Sequence, residues 1–336
     1  MKKIGVLGAG TWGVALARML AKSGNDVTIW SAVKDEIDYI KSTHLHPNLP
    51  SSEMPESIKF TYDVENAVKD KDVILMAVAS IYVRGTAQRI APYLKSDQII
   101  VDVAKGIEAN TLFTMTEVIR DELNKNGVKD FKNLVALSGP THAEEVARDL
   151  PTAIVSACEN QVTAEYIQDI FMNTCMRVYT NHDIKGVEIC GALKNIIALA
   201  SGICYGLGYG DNAKAALITR GMAEISRLGI AMGCTPATFS GLAGIGDLIV
   251  TTTSMHSRNN RAGLYIGQGL SPQQAIKKVG MVVEGINAIP AALELAEKYS
   301  IEMPIVSAVN AVVNHGADPM ETVLELMQRK KRNEQS

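Results

Sequence analysis

Aromatic residues are scarce, 5% of 336, and no run of about 18 uninterrupted apolar residues occurs, so the sequence offers no bilayer-spanning segment. Neither sign of charge is in excess. Thirty-three Lys and Arg stand against 36 Asp and Glu, and the net charge of -3 excludes a general electrostatic pull toward nucleic acid or an anionic membrane. Any anionic ligand must be held by a local pocket. Cysteine is sparse and unpatterned: Cys158, Cys175, Cys190, Cys204 and Cys234 are odd in number, sit among apolar or small residues and form no C-x-x-C pair. This speaks for buried, reduced thiols in a cytoplasmic protein. The start, Met1-Lys2-Lys3, runs directly into Ile4-Gly5-Val6-Leu7-Gly8, too short an apolar stretch for a signal peptide. What is plentiful is hydrophobic residue, 47% against 21% charged, enough to bury one sizeable core or two smaller ones.

Residues 1 to about 182 alternate short β-branched runs with amphipathic segments, the pattern of parallel strands joined by crossover helices. Strands are expected at Lys3 to Leu7, Asp26 to Trp30, Val73 to Val78, Gln98 to Val103, Leu134 to Leu137, Thr152 to Ser156 and Arg177 to Thr180. Between the first two, Trp12, Ala15, Leu16, Met19 and Leu20 recur at helical spacing, and Gly24 supplies a C-terminal stop. From residue 183 to 336 the texture turns to Ala, Leu, Ile, Met and Gly, which predicts a mainly helical second domain. Helices are expected at Ile184 to Ala200, Asn212 to Met232, Pro272 to Val279, Gly285 to Lys298, Ile305 to Asn314 and Met320 to Arg329, with Asp211 and Ser271 as N-caps. Glycines 202, 206, 208 and 210 are read as punctuation between helices, and Gly241, Gly244 and Gly246 as a loop. The closing Arg329 to Arg332 run suits a solvated helix end.

Gly8-Ala9-Gly10-Thr11-Trp12-Gly13 matches G-x-G-x-x-G between a strand and a helix. In that context Gly8 allows the tight turn, Gly10 admits a pyrophosphate to the backbone, and Gly13 lets the helix pack close to the strand. Free N–H groups at the helix start then face the phosphates. The residue that reads the ribose is expected about 20 positions on, near Trp30-Ser31-Ala32-Val33, where no acidic side chain stands. Its absence removes the main exclusion of NADP. Arg is absent too, and Lys34 is the nearest cation, so both NADP and NAD remain open with a lean toward tolerance of NADP.

Three further segments set polar groups in apolar or glycine-rich surroundings. Lys105, in Ala104-Lys105-Gly106, falls at the carboxyl end of a parallel strand, where such sheets bind ligands. Ser138-Gly139-Pro140-Thr141-His142-Ala143 forms a second strand-to-helix turn in which Thr141 is placed to cap; His142 has no metal partner at useful spacing. Lys194 and Asn195 lie in a helix otherwise apolar nearly all round, so the buried ammonium is expected to lose pKa and exchange a proton near neutrality. Asp247 opens a polar stretch that ends in Ser257-Arg258-Asn259, which has the donors of a phosphate clamp or, equally, of an exposed loop.

Together, the glycine loop, Ala104 to Glu108, Ser138 to Glu145, Gly191-Ala192-Leu193-Lys194-Asn195, Gly206 to Asn212 and Asp247 to Asn259 make the chain resemble bacterial NAD(P)-dependent glycerol-3-phosphate dehydrogenases from Lys3 to the final helix. The resemblance implies an α/β fold, a Rossmann-type doubly wound parallel sheet followed by an all-α substrate domain, and a homodimer in the cytoplasm. It implies reversible hydride transfer between NADP(H) or NAD(H) and dihydroxyacetone phosphate, giving sn-glycerol 3-phosphate for glycerophospholipid synthesis. Lys194 resembles the family's proton donor and acceptor. Lys105, Gly139, Thr141, Asp247, Ser257, Arg258 and Asn259, with Lys194 and its neighbour Asn195, stand where substrate is contacted. Gly8, Gly10, Thr11, Trp12, Gly13, Lys105, Ala143, Arg258, Val282 and Glu284 stand where the cofactor is contacted. One departure is Ala32-Val33, where relatives often carry His-Arg to grip a 2′-phosphate.

The chemistry agrees with the residue-level reading. Negative charge builds on the ketone oxygen as hydride arrives, and the Lys194 ammonium can stabilise and protonate it. Lys105 is expected to depress the Lys194 pKa by like-charge repulsion and to polarise the same oxygen, with Asp247 holding Lys194 in place and opposing that depression. Two rivals use the same residues: a 3-hydroxy acid dehydrogenase with a carboxylate in place of the phosphate, and a nicotinamide-sensing module without turnover.

Overall fold

The computed structural model describes residues 1–331, 333 and 334. Packing divides the chain into two units, Met1–Gly191 with Cys234–Asp247, and Ala192–Gly233 with the residues from Leu248 onward. The expected division after residue 182 is thus displaced, because Ile184, Val187 and Ala243 pack on Ala136, Val155 and Ala157 of the sheet. Asp183 reinforces this by accepting hydrogen bonds from Thr235 N (2.8 Å) and Thr238 Oγ1 (2.7 Å).

In the first unit eight strands form one sheet. They are β1 (Lys3–Leu7), β2 (Asp26–Trp30), β3 (Lys59–Thr61), β4 (Val73–Met76), β5 (Ile99–Asp102), β6 (Leu134–Ser138), β7 (Thr152–Ala157) and β8 (Met176–Asn181), in the order β3-β2-β1-β4-β5-β6-β7-β8. The order reverses direction between β1 and β4, the switch point at which doubly wound sheets bind ligands. Alternate residues face opposite sides: Val73 and Leu75 join one core, Ile74 and Met76 the other, so both faces are covered. All seven expected strands form, while the three-residue edge strand β3 carried no signal in the sequence.

One pairing departs from the parallel expectation. β7 runs antiparallel to β6, with Leu137 opposite Ser156. The connection between them contains only the four-residue helix Ala143–Val146, about 6 Å long, which does not carry the chain back along the sheet as a parallel crossover requires.

The second unit is helical. The helix Ile184–Gly206, which begins in the first unit, outruns its expected end at Ala200 because Gly202 and Gly206 are packing positions rather than punctuation. A Cβ on Gly202 would lie 2.0 Å from Asn260 O, and one on Gly263 would lie 2.1 Å from Leu199 O, so this helix and Arg258–Gly267 touch backbone to backbone. By length and hydropathy Ile184–Gly206 is sufficient to cross a membrane, but its apolar window is entirely buried within the protein, as in a core helix.

The remaining helices follow the pattern with local corrections. Ser271 caps Pro272–Val279 in a full capping box, as its sequence signature implies. Asp211 is not the cap of Asp211–Ala231; Gly210 is, and Asp211 joins the first turn, where its charge suits the dipole. Gly241, Gly244 and Gly246 do not open a loop. Leu242–Gly246 winds as a π-type turn, Gly244 fitting against Phe239 O, and leads into the helix Asp247–Thr253. The last helix, Pro319–Met327, stops short of Arg329, whose guanidinium pairs with Glu302 at 3.0 Å; Arg332 lies outside the described residues.

Candidate active site

The glycine loop after β1 has the geometry its spacing implies. Gly8 takes φ +119°, and a Cβ there would lie 2.7 Å from Ala77 O, so only glycine fits. Gly13 packs onto the loop, with Gly8 O 2.3 Å from where its Cβ would be. Gly10 is different: nothing lies within 4 Å of a Cβ there, so space is open above the start of the helix Thr11–Lys22. No side chain caps that helix, which leaves its first N–H groups available to an anion. Thr11 and Trp12 form the first turn, and Thr11 Oγ1 accepts from Asn48 Nδ2 at 3.0 Å. An open cradle, a tight turn and a bare helix N-terminus suit the pyrophosphate of a dinucleotide.

Along the sheet, Lys105 follows β5 and is half-buried. Its Nζ donates to Asp247 Oδ2 at 2.7 Å and to Gly139 O at 3.3 Å. Asp247 is wholly buried at the end of the π-type turn. Lys105, Gly139 and Asp247, far apart in sequence, therefore meet. Gly139 also abuts β7, where a Cβ would lie 3.0 Å from Ile154 Cα. Thr141 does not cap the following helix; its hydroxyl turns back to Gly139 O (3.2 Å), His142 occupies the cap position without capping the helix through its side chain, and Ala143 begins the helix.

The Ser138 hydroxyl was given no role by the sequence. It is buried with no hydrogen-bond partner among the described residues, 3.4 Å from where a Cβ on Gly191 would stand, and the Lys105 stem is equally close to that point. The sequence places Ser138 at the start of the strand-to-helix turn, whereas the structure makes it the last residue of β6.

In the second unit Lys194 is 5% exposed and donates to Thr251 Oγ1 at 2.5 Å. Thr251 was not singled out by sequence either. The only available clue is that it follows Asp247 by four residues, one turn along the same helix. Asn195 Oδ1 accepts from Asn259 Nδ2 (3.0 Å), and Asn259 Oδ1 accepts from Gly285 N (2.8 Å). This chain of bonds links the Lys194 helix to the start of two others. Ser257, Arg258 and Asn259 are not a solvated loop: Ser257 caps Arg258–Gly267 by accepting from Asn260 N, and Arg258 is its first residue. Glu284 opens Glu284–Lys298, with half-buried Val282 just before it. Among the described residues no group of three His, Cys, Asp or Glu is arranged to hold a metal ion.

The switch-point glycine loop, the mostly parallel sheet and the helical second unit define a Rossmann-type dinucleotide-dependent oxidoreductase. The chain belongs to the NAD-dependent glycerol-3-phosphate dehydrogenase family: the N-terminal family profile matches residues 3–164 and the C-terminal profile residues 183–324. It is 64% identical to glycerol-3-phosphate dehydrogenase (NAD(P)+) 2 of Lactobacillus delbrueckii subsp. bulgaricus, covering 99% of both chains. It is 51% identical to glycerol-3-phosphate dehydrogenase (NAD(P)+) of Agathobacter rectalis, covering 100% of this chain and 98% of that one. Among solved structures, glycerol-3-phosphate dehydrogenase of Coxiella burnetii superposes with a TM-score of 0.91 at 36% identity, over 98% of this chain and 99% of that one.

Proposed function

We propose that the protein catalyses reversible hydride transfer between NAD(P)H and C2 of dihydroxyacetone phosphate, giving sn-glycerol 3-phosphate for glycerophospholipid synthesis. The observation that carries this reading is Lys194, an amine buried in an apolar helix and oriented by the Thr251 hydroxyl. Desolvating an ammonium is costly, so a lysine buried in such a helix marks a candidate functional group. When bound, the nicotinamide supplies or accepts the hydride. Lys194 donates its proton to the substrate oxygen as charge develops on it, and takes one back in the reverse direction. Lys105 is a second cation assigned to the substrate, and Asp247 balances its charge. Arg258 with Ser257 and Asn259 is assigned to the phosphate, which Arg grips by planar, charge-assisted hydrogen bonds. Asn195 supports this role by bonding Asn259. Gly139 and Thr141 complete the substrate contacts, while Gly8, Gly10, Thr11, Trp12, Gly13, Ala143, Val282 and Glu284 are assigned to the cofactor. Binding energy gathered at the phosphate positions the reacting carbon.

Five free cysteines, four of them buried, support action in the cytoplasm. A homodimer is the assembly proposed from the family, and light scattering on the purified protein tests it. The test of function is oxidation of NADH and of NADPH, followed separately, on addition of dihydroxyacetone phosphate. Turnover that requires the phosphate ester supports the reading, and none with either nucleotide refutes it.

A further inference from the structure

We propose that Glu36 makes this protein favour NAD(H) over NADP(H), by presenting a carboxylate where the adenosine ribose is read. The proposal rests on the reading of the chain as a dinucleotide-dependent dehydrogenase and adds a discriminating residue to it. In many such folds an acidic side chain at the end of the second strand accepts the ribose 2′-hydroxyl and repels a 2′-phosphate. Here β2 ends in Trp30, and neither Ala32 nor Val33 is acidic. The structure brings a carboxylate to the same place by another route. Ser31 is buried directly after the strand; its hydroxyl donates to Glu36 Oε2 at 2.8 Å and accepts from Val33 N at 3.1 Å. One oxygen thus pins the turn and ties the carboxylate back to the strand end.

The helix Lys34–Thr43 separates the nearby charges. Lys34 and Asp38 share one face, one turn apart, and Glu36 stands on roughly the opposite face. On the first face, the Lys34 ammonium lies 5.9 Å from the centroid of the Tyr62 ring, and the Tyr62 hydroxyl is hydrogen-bonded to Asp38. The cation is directed toward Tyr62. Glu36 is held at the end of β2 by Ser31, close enough for its charge to act on buried His46, which hydrogen-bonds the Ala9 backbone, while Asn48 from the same segment donates to Thr11. Burial lowers the His46 pKa, which favours the neutral imidazole over a cation beside Glu36. A 2′-phosphate placed beside the loop meets this carboxylate, whereas a 2′-hydroxyl gains an acceptor.

The test uses two fragments that carry no nicotinamide, ADP-ribose and 2′-phospho-ADP-ribose, titrated calorimetrically into the full-length protein and into Glu36→Gln. The wild type is expected to bind ADP-ribose at least roughly tenfold more tightly, and Glu36→Gln to shrink that ratio by about tenfold, less so at high salt. Lys34→Ala should leave the ratio in place. Equal affinities in the wild type, an unchanged ratio in Glu36→Gln, or selective loss of the 2′-phospho ligand in Lys34→Ala each overturns the proposal. Turnover of dihydroxyacetone phosphate by the same preparations separates the two readings: fragments bound with the expected ratio but no turnover condemns the activity alone.

Discussion

The Lys105 ammonium lies 2.7 Å from the Asp247 carboxylate, and Asp247 has no solvent exposure. Removing the acid leaves a lysine nineteen per cent exposed without this countercharge, and breaking a buried pair from one side typically costs about 3 kcal/mol. Asp247→Ala is expected to lower unfolding stability by roughly that amount and to abolish turnover. Urea denaturation measures the first effect; unchanged stability would show that the pair carries no weight.

Lys194→Ala should keep the dissociation constant for NADH within about twofold while kcat falls by about a thousandfold, within the range for loss of a general acid. Stopped-flow turnover alongside fluorescence titration separates the two. Wild-type-like kcat removes Lys194 from the mechanism.

Arg258→Ala should raise the KM for dihydroxyacetone phosphate roughly tenfold to a hundredfold, the size of one lost charged hydrogen-bonding group. Steady-state kinetics at saturating NADH reads this directly. An unmoved KM rules out the phosphate clamp.

Glu188 is buried, and Thr114 Oγ1, Thr116 N and Thr116 Oγ1 all donate to it at 2.6–2.8 Å. Burial outweighs these donors and raises its pKa from 4.5 to about 7. The folded state therefore binds more protons than the unfolded state between those values, and stability contributed by the protonated acid is lost as pH rises through that window. The loss is on the order of 3 kcal/mol from the size of the shift. Chemical denaturation of wild type and Glu188→Gln at pH 5 and pH 7.5 should show a shallower pH dependence in the variant. Parallel curves would mean that Glu188 does not titrate there.

Gly202→Val should destabilise by about 2 kcal/mol or more, because the new Cβ would fall 2.0 Å from Asn260 O on the facing helix. The same change at Gly24, where a Cβ meets nothing but φ is +86°, isolates backbone strain from steric clash. Thermal unfolding compares them; equal losses would argue against close helix packing.

Much of the molecule was legible in one dimension because its determinants are local. Strand, glycine loop and helix follow one another within 20 residues, and a left-handed φ or a close backbone approach favours glycine wherever it occurs, so the dinucleotide cradle could be read directly. Ser271-Pro272 marks its helix by the same local logic. Lys194 stood out because an ammonium in an apolar helix conflicts with its immediate neighbours.

What only the tertiary structure decided are relationships between residues far apart in the chain. The return of β7 against β6, the binding of 234–247 to the sheet unit by Asp183, and the pairing of Lys105 with Asp247 across 142 positions depend on which surfaces pack together. So do the Thr251 partner of Lys194 and the tie of Glu36 to Ser31 at the end of β2. Periodicity states that a residue is buried or charged. Its partner is selected by complementary shape and charge brought together in three dimensions, which a linear pattern does not encode.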